Sequence, residues 1–173
     1  MYHTRAATAA DAGALQAIYA SCVQEANWLS AQDQANPDFA MASRGEVVFV
    51  ATADDGEVLG LVSVWTMETF IHHLYVAPRH RRAGVGRALL ASLSAWLSPP
   101  WQLKCVRANR AASDFYHALG WSEVRSTHAD AALYAAKHAG RNCTRVTADD
   151  PAPEAVPLRV VPAPVEGVPA SAK

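Results

Sequence analysis

The chain has 173 residues, enough for one domain with a sizeable core and room for a tail. With 51% hydrophobic residues and a net charge of −1, it is not a whole-chain electrostatic binder of nucleic acid, and any basic segment acts locally. No stretch approaches the ~20 apolar residues of a membrane span, and three scattered cysteines lack zinc-ligand spacing. Reduced thiols, a cytoplasmic location and no metal are therefore expected.

Residues 2–7 suit a short first strand. Thr8 and Asp11 resemble a capping box, with Asp in the usual place of Glu. Leu15, Ile18, Tyr19, Cys22 and Val23 then recur at helical spacing and predict an amphipathic helix. Residues 26–43 have no period and contain Pro37, which predicts a loop with a short second helix. Its large apolar side chains, Trp28, Leu29 and Phe39, are candidates to line a pocket. Residues 46–52 and Val58–Trp65 are β-branched, apolar runs joined across Asp55-Gly56, a hairpin signal. Their near-continuous apolarity predicts strands covered on both faces.

Phe70–Val76 predicts a further strand, ended by Pro78. The loop after it carries Arg79, Arg81, Arg82 and Arg87 around Gly84 and Gly86, and a helix begins at the glycines. A helix start leaves N–H groups unpaired at its positive end, which suits a phosphate, and glycine lets a ligand approach the backbone closely. Val85, Leu89, Leu93, Trp96 and Leu97 lie along one side of that helix until Pro99-Pro100 stops it. Trp101–Val106 predicts a strand, Asn109 caps a helix over 110–119 with Gly120 just past its end, and 121–125 suits another strand. Residues 129–139 are alanine-rich and predict a helix, and 142–147 a last strand. From Asp149 prolines recur without a period, so a domain over 1–147 and an extended or disordered tail over 148–173 are expected. The alternation of elements predicts a mixed sheet with helices on both faces.

Three segments together resemble the GCN5-related N-acetyltransferase (GNAT) superfamily, over residues 2–125. Leu74-Tyr75-Val76 followed by Pro78 is similar to the family's fourth strand. Arg81-Arg82-Ala83-Gly84-Val85-Gly86 fits its (Gln/Arg)-x-x-Gly-x-(Gly/Ala) acyl-CoA loop. Asn109, Ala112, Phe115, Tyr116, Gly120 and Trp121 fit Asn-x-x-Ala-x-x-Phe-Tyr-x-x-x-Gly-(Phe/Trp). The resemblance implies an α/β (α+β) fold with a mixed, mostly antiparallel central sheet. It also implies acetyl-CoA as cosubstrate and direct acetyl transfer to a small-molecule amine or a peptide or protein amino group. On this basis Arg81, Arg82, Ala83, Gly84, Val85, Gly86 and Arg87 would hold the CoA diphosphate. Leu74, Val76 and Asn109 would hold the pantetheine arm, and Tyr116 would protonate the departing thiolate. An ammonium must lose a proton before attack. Glu68, His72 and His73 are the candidate bases; strand alternation places Glu68 and His72 on one face and His73 on the other, and Glu68 and His72 rank ahead. Glu25 is a weaker candidate. A module that binds acyl-CoA without turnover is the competing reading.

Residues 129–142 instead resemble the final helix of GGDEF diguanylate cyclase domains, through Ala-Asp-Ala-Ala-Leu-Tyr-Ala-Ala-Lys-His-Ala-Gly-Arg-Asn. The Gly-Gly-(Asp/Glu)-Glu-Phe signature is absent from the chain, so cyclase chemistry is not implied; the resemblance suggests a grafted cyclase fragment, with convergence in an alanine-rich helix as the alternative. With a helix there, the seventh-strand position would be filled by 142–147, by a second subunit in a homodimer, or by nothing. The other option forces 131–137 into the strand.

Overall fold

The structure, a computed structural model, describes residues 2–123 and the strand Ala155–Val160. Seven strands form one sheet: β1 (His3–Ala6), β2 (Val47–Thr52), β3 (Val58–Trp65), β4 (Phe70–Val76), β5 (Trp101–Val106), β6 (Ser122–Glu123) and β7 (Ala155–Val160). Their spatial order is β1-β2-β3-β4-β5-β7-β6, and every neighbouring pair is antiparallel except β4 with β5. Five α-helices accompany them: α1 (Ala12–Glu25), α2 (Ala31–Ala35), α3 (Phe39–Ala42), α4 (Val85–Leu93) and α5 (Arg110–Ala118).

Why β3 is central follows from its composition. Its residues alternate between two apolar layers, so it has no polar face to turn to water. Leu59, Val62 and Val64 pack with Leu89, Leu93 and Ile71 under α4. Leu61 packs with Leu15, Ile18 and Phe39 under α1 and α3. The β2–β3 turn closes as the Asp-Gly signal predicts, with Gly56 at φ 88° and its N–H donating to the Ala53 carbonyl.

At the start of α1, Asp11 is more than a cap. Its Oδ2 accepts the Thr8 N–H at 2.7 Å and the Thr8 hydroxyl at 2.9 Å, while Arg5 grips both carboxylate oxygens at 2.7 and 2.8 Å. Residues 26–43 hold two short helices where the sequence predicts one. Gln16 of α1 fixes this segment, donating to the Pro37 carbonyl at 2.6 Å and accepting from the Phe39 N–H at 2.8 Å. Helix α4 stops at Leu93, earlier than expected from the position of Pro99. Trp96 and Leu97 still pack inward from the turn that follows, Trp96 stacking on Phe49 at 4.9 Å.

The tail assignment needs correction. Residues 155–160, placed by sequence in an extended or disordered tail, form β7 and pair with β5 on one side and β6 on the other. Pro157 does not prevent this, because a proline lacks only its own N–H and the remaining residues still make ladder bonds. The seventh-strand position is thus filled by a segment that none of the sequence alternatives named, and it is not open to a second subunit. The expected helix over 129–139 and strand over 142–147 lie outside the described residues, as does the cyclase-like stretch.

Candidate active site

Strands β4 and β5 pair at only two positions, Phe70 with Gln102 and Ile71 with Leu103. Beyond them the strands part, and the sheet opens beside the second half of β4. The Ala77 N–H donates to the Leu59 carbonyl at 2.9 Å, so by strand alternation Tyr75 and Ala77 bond toward β3 while Leu74 and Val76 turn their main-chain groups to the opening. The Val76 carbonyl is partly used there, accepting from the Cys22 thiol at 3.6 Å and from Arg81 Nε at 3.4 Å.

The chain leaves β4 through a turn into α4. Arg82 at φ 62° and Gly84 at φ 88° both take the left-handed conformation that swings the backbone round. A non-glycine residue in that region is uncommon and marks a geometry the surroundings enforce. The Ala88 N–H reaches the Gly84 carbonyl at 3.0 Å, whereas among the described residues no N–H from 82 to 87 makes a well-formed hydrogen bond to a protein acceptor. These amides converge at the positive end of a nine-residue helix, the arrangement that receives anions. Val85 contributes only its backbone, since its side chain is buried under the sheet. Gly86 is needed for space: a Cβ there would lie 3.3 Å from Phe115 Cζ and 3.7 Å from Val76 Cγ2.

The arginines separate into two groups. Arg81 Nη1 pairs with Glu25 at 2.7 Å, and its Nη2 reaches the Cys22 sulfur at 3.5 Å. That guanidinium ties the loop to α1, and it occupies Glu25, the weaker base candidate. Arg79 pairs with Glu57. Arg82 and Arg87 are exposed and have no ion-pair partner among the described residues.

Asn109 is the cap of α5, its Oδ1 accepting the Ala112 N–H at 3.1 Å. Tyr116 on that helix is buried, 8% exposed, between Phe115 and Trp121 with ring centroids at 5.2 and 5.5 Å. Burial pushes its phenol pKa up, and Cys105 of β5 and Tyr75 of β4 push it further. The phenol therefore stays protonated at neutral pH.

On the opposite face, strand alternation fails in an informative way. Ser63 pairs with His73 and Val64 with Ile71, so His72 has no residue opposite it and forms a β-bulge. The bulge turns two consecutive histidines to the same side, with ring centroids 4.0 Å apart, where a regular strand would separate them. Both meet Glu46, which precedes β2: His72 Nδ1 lies 2.5 Å from Glu46 Oε1, and His73 Nδ1 lies 3.6 Å from Oε2. The Ser63 hydroxyl donates to the same Oε2 at 2.7 Å and lies 2.8 Å from His73 Nδ1. A carboxylate only accepts, so the His72 proton sits on Nδ1 and its Nε2 carries the lone pair in the neutral ring. Burial raises the Glu46 carboxyl pKa, but hydrogen bonds from His72 and His73, the His72 charge and Ser63 pull it down to about 2. The carboxylate is 2% exposed and His72 24%, so the cluster is anchored inside and reaches the surface at His72. A cleft of about 320 Å³ is lined by Glu46, Phe39, Leu15 and Thr8, with neither histidine in its lining.

This revises the shared-face reasoning. Glu68 lies in a 3₁₀ turn ahead of β4, where strand alternation does not apply, and it is His73 that accompanies His72. Glu46 and Ser63 are functional candidates that sequence reasoning missed. The one available signal was Glu46 itself, a carboxylate opening an apolar strand run.

The comparisons with known proteins agree with this architecture. Residues 44–123 match the acetyltransferase (GNAT) domain family. No curated protein matches the chain in sequence. Among solved structures, apo-form YjaB from Escherichia coli superposes with a TM-score of 0.64 at 18% identity, covering 94% of this chain and 99% of that one. The ribosomal-protein-S18-alanine N-acetyltransferase from Escherichia coli gives 0.58 at 19% identity, covering 92% and 93%. The PaiA N-acetyltransferase from Thermoplasma acidophilum, in complex with coenzyme A, gives 0.60 at 15% identity, covering 74% and 94%. At these identities the likeness is one of fold. No helix among the described residues is long and apolar enough to cross a membrane. With a parted β4–β5 pair, an amide-lined turn into α4 and a family match over those positions, residues 44–123 form a domain of the GNAT superfamily.

Proposed function

We propose that this domain transfers an acetyl group from acetyl-CoA directly to a primary amine. One observation carries the reading: β4 opens away from β5, presents the main-chain groups of Leu74 and Val76 to the gap, and runs straight into the uncommitted amides of 82–87. The amides would take the CoA diphosphate, with Arg82 and Arg87 adding positive charge beside it. Leu74 and Val76 would hold the pantetheine arm, and the Val76 N–H would stabilise the oxyanion, worth ~3–4 kcal/mol at such sites.

Attack by the amine forms the C–N bond as the C–S bond breaks. The amine proton passes to His72 Nε2, and Tyr116 supplies a proton to the leaving thiolate. Glu46 is a positioning residue, holding the His72 ring in the tautomer that can accept.

Calorimetry with acetyl-CoA, followed by an amine panel read by free-thiol release, tests the proposal. Binding, turnover with at least one amine, and loss of turnover in His72→Gln with binding retained are the expected results. No heat with acetyl-CoA ends the reading. Heat without thiol release from any amine would leave an acyl-CoA-binding module.

A further inference from the structure

We propose that Glu46, His72 and His73 form a binding site for a divalent transition-metal ion of the zinc class, and that its occupation silences the transferase. The second clause rests on His72 being the base; the first does not. Two imidazoles and one carboxylate form a ligand set that suits zinc, cobalt or nickel, and it discriminates against the all-oxygen preference of magnesium and calcium.

One ring nitrogen of each histidine and a Glu46 carboxylate oxygen lie within 4.8 Å of one another, and the Nδ1 atoms are those that face Glu46. Around a tetrahedral ion with bonds of ~2.0–2.1 Å, neighbouring donors sit about 3.3 Å apart. The separations of 2.5 Å (His72 to Oε1) and 3.6 Å (His73 to Oε2) bracket that value. An ion held there would replace the contact of 2.8 Å between His73 Nδ1 and the Ser63 hydroxyl and part His72 Nδ1 from Glu46 Oε1.

The site is also supported from behind, as metal ligands require. Ser63 holds Glu46 Oε2 at 2.7 Å. The His73 ring is boxed by Tyr19 at 5.7 Å, Phe39 at 5.9 Å and Tyr75 at 5.7 Å. The β-bulge at His72 gives the two histidines their common direction, which a regular strand would deny them. His72 is 24% exposed, which offers an ion a way in. The spacing of ligands at 46, 72 and 73 matches no zinc motif, which is why the sequence predicts no metal.

Coordination also changes the chemistry of the base. When a metal takes the Nδ1 lone pair of His72, the ring proton moves to Nε2, and Nε2 can no longer accept a proton from an amine. Metal binding and base catalysis at His72 then exclude each other.

The test uses the full-length, tag-free chain stripped with a chelator. Zinc affinity is measured by competition with a chromophoric chelator, and coordination by the visible absorption of the cobalt derivative. One zinc per chain and a tetrahedral cobalt spectrum are expected. Glu46→Gln and His73→Gln should each weaken zinc about tenfold or more, and the distant His3→Gln and His117→Gln should leave it unchanged. His72→Gln, at a partly exposed position, serves as the third ligand variant if burial of Glu46 or His73 makes theirs unfold.

Zinc that fails to compete with the chelator, or that binds equally well to all three ligand variants, overturns the site. For the second clause, zinc should suppress product formation, read by mass because zinc also binds free thiol, and chelator should restore it. A chain that binds zinc yet acetylates at an unchanged rate refutes the silencing alone. A chain that binds zinc but never acetylates any amine keeps the metal site and ends the transferase reading.

Discussion

Tyr116 offers two roles that one pair of substitutions separates. Its ring fills core space between Phe115 and Trp121, and its hydroxyl is the candidate acid. Tyr116→Phe keeps the ring and removes the hydroxyl. Packing is preserved, so stability should change by no more than about 1 kcal/mol. If the hydroxyl protonates the thiolate, kcat should fall about 10²–10⁴-fold, the range of general acid catalysis, equivalent to roughly 2.7–5.5 kcal/mol of barrier. Tyr116→Ala removes the ring as well and should lower the unfolding free energy by about 3–5 kcal/mol. Urea unfolding reports the first quantity, and thiol release under saturating acetyl-CoA the second. Acetyl-CoA affinity measured on Tyr116→Phe should stay within about threefold of the parent, so that the loss falls in kcat. A Tyr116→Phe enzyme with unchanged kcat would show the residue to be a core aromatic and would remove it from the mechanism.

Gly60→Ala places a Cβ 2.7 Å from the Tyr75 carbonyl oxygen and 3.2–3.3 Å from Val85 and Leu89. A backbone oxygen inside a sheet cannot step aside, so about 1–3 kcal/mol of stability should be lost, together with acetyl-CoA affinity, because Tyr75 lies between Leu74 and Val76; unfolding and calorimetry measure the two. Gly84→Ala meets nothing within 4 Å but must hold φ near 88°. The left-handed strain of about 1–2 kcal/mol should appear either as lower stability or, if the turn relaxes, as weaker CoA binding by up to about tenfold; no change in either measurement contradicts the role given to that turn. Asp11 is held well below the usual carboxylate range by its hydrogen bond from Arg5, then by the Thr8 backbone. Its folded-state pKa lies below its unfolded one, so its contribution is present above about pH 4 and fades as pH falls below that. Urea midpoints between pH 7 and pH 3 should therefore drop more steeply for the parent than for Asp11→Asn, and parallel curves would disprove the linkage.

Local chemistry made much of this protein legible in its residues. The Asp55-Gly56 turn, the continuous apolarity of Val58–Trp65, the Asn109 cap with Gly120 beyond it, and the basic glycine loop each depend on neighbours a few positions apart. Such features are written in sequence because backbone preference and hydrogen bonding act over those distances. The three segments that resemble the acetyltransferase family sit in these local elements, which is why the fold is legible in the sequence.

Tertiary structure decided what depends on distant partners. Whether His72 and His73 share a side is set by a one-residue slip against Ser63 and Val64, and no propensity in β4 encodes that slip. The glutamate that orients them comes from 26 positions upstream of His72. The proline-bearing segment at 155–160 becomes a strand because β5 and β6 leave an unfilled ladder between them, a vacancy that exists only once the sheet has formed. Short-range energies chose the elements, and the pairing of strands far apart in the chain chose which side chains meet.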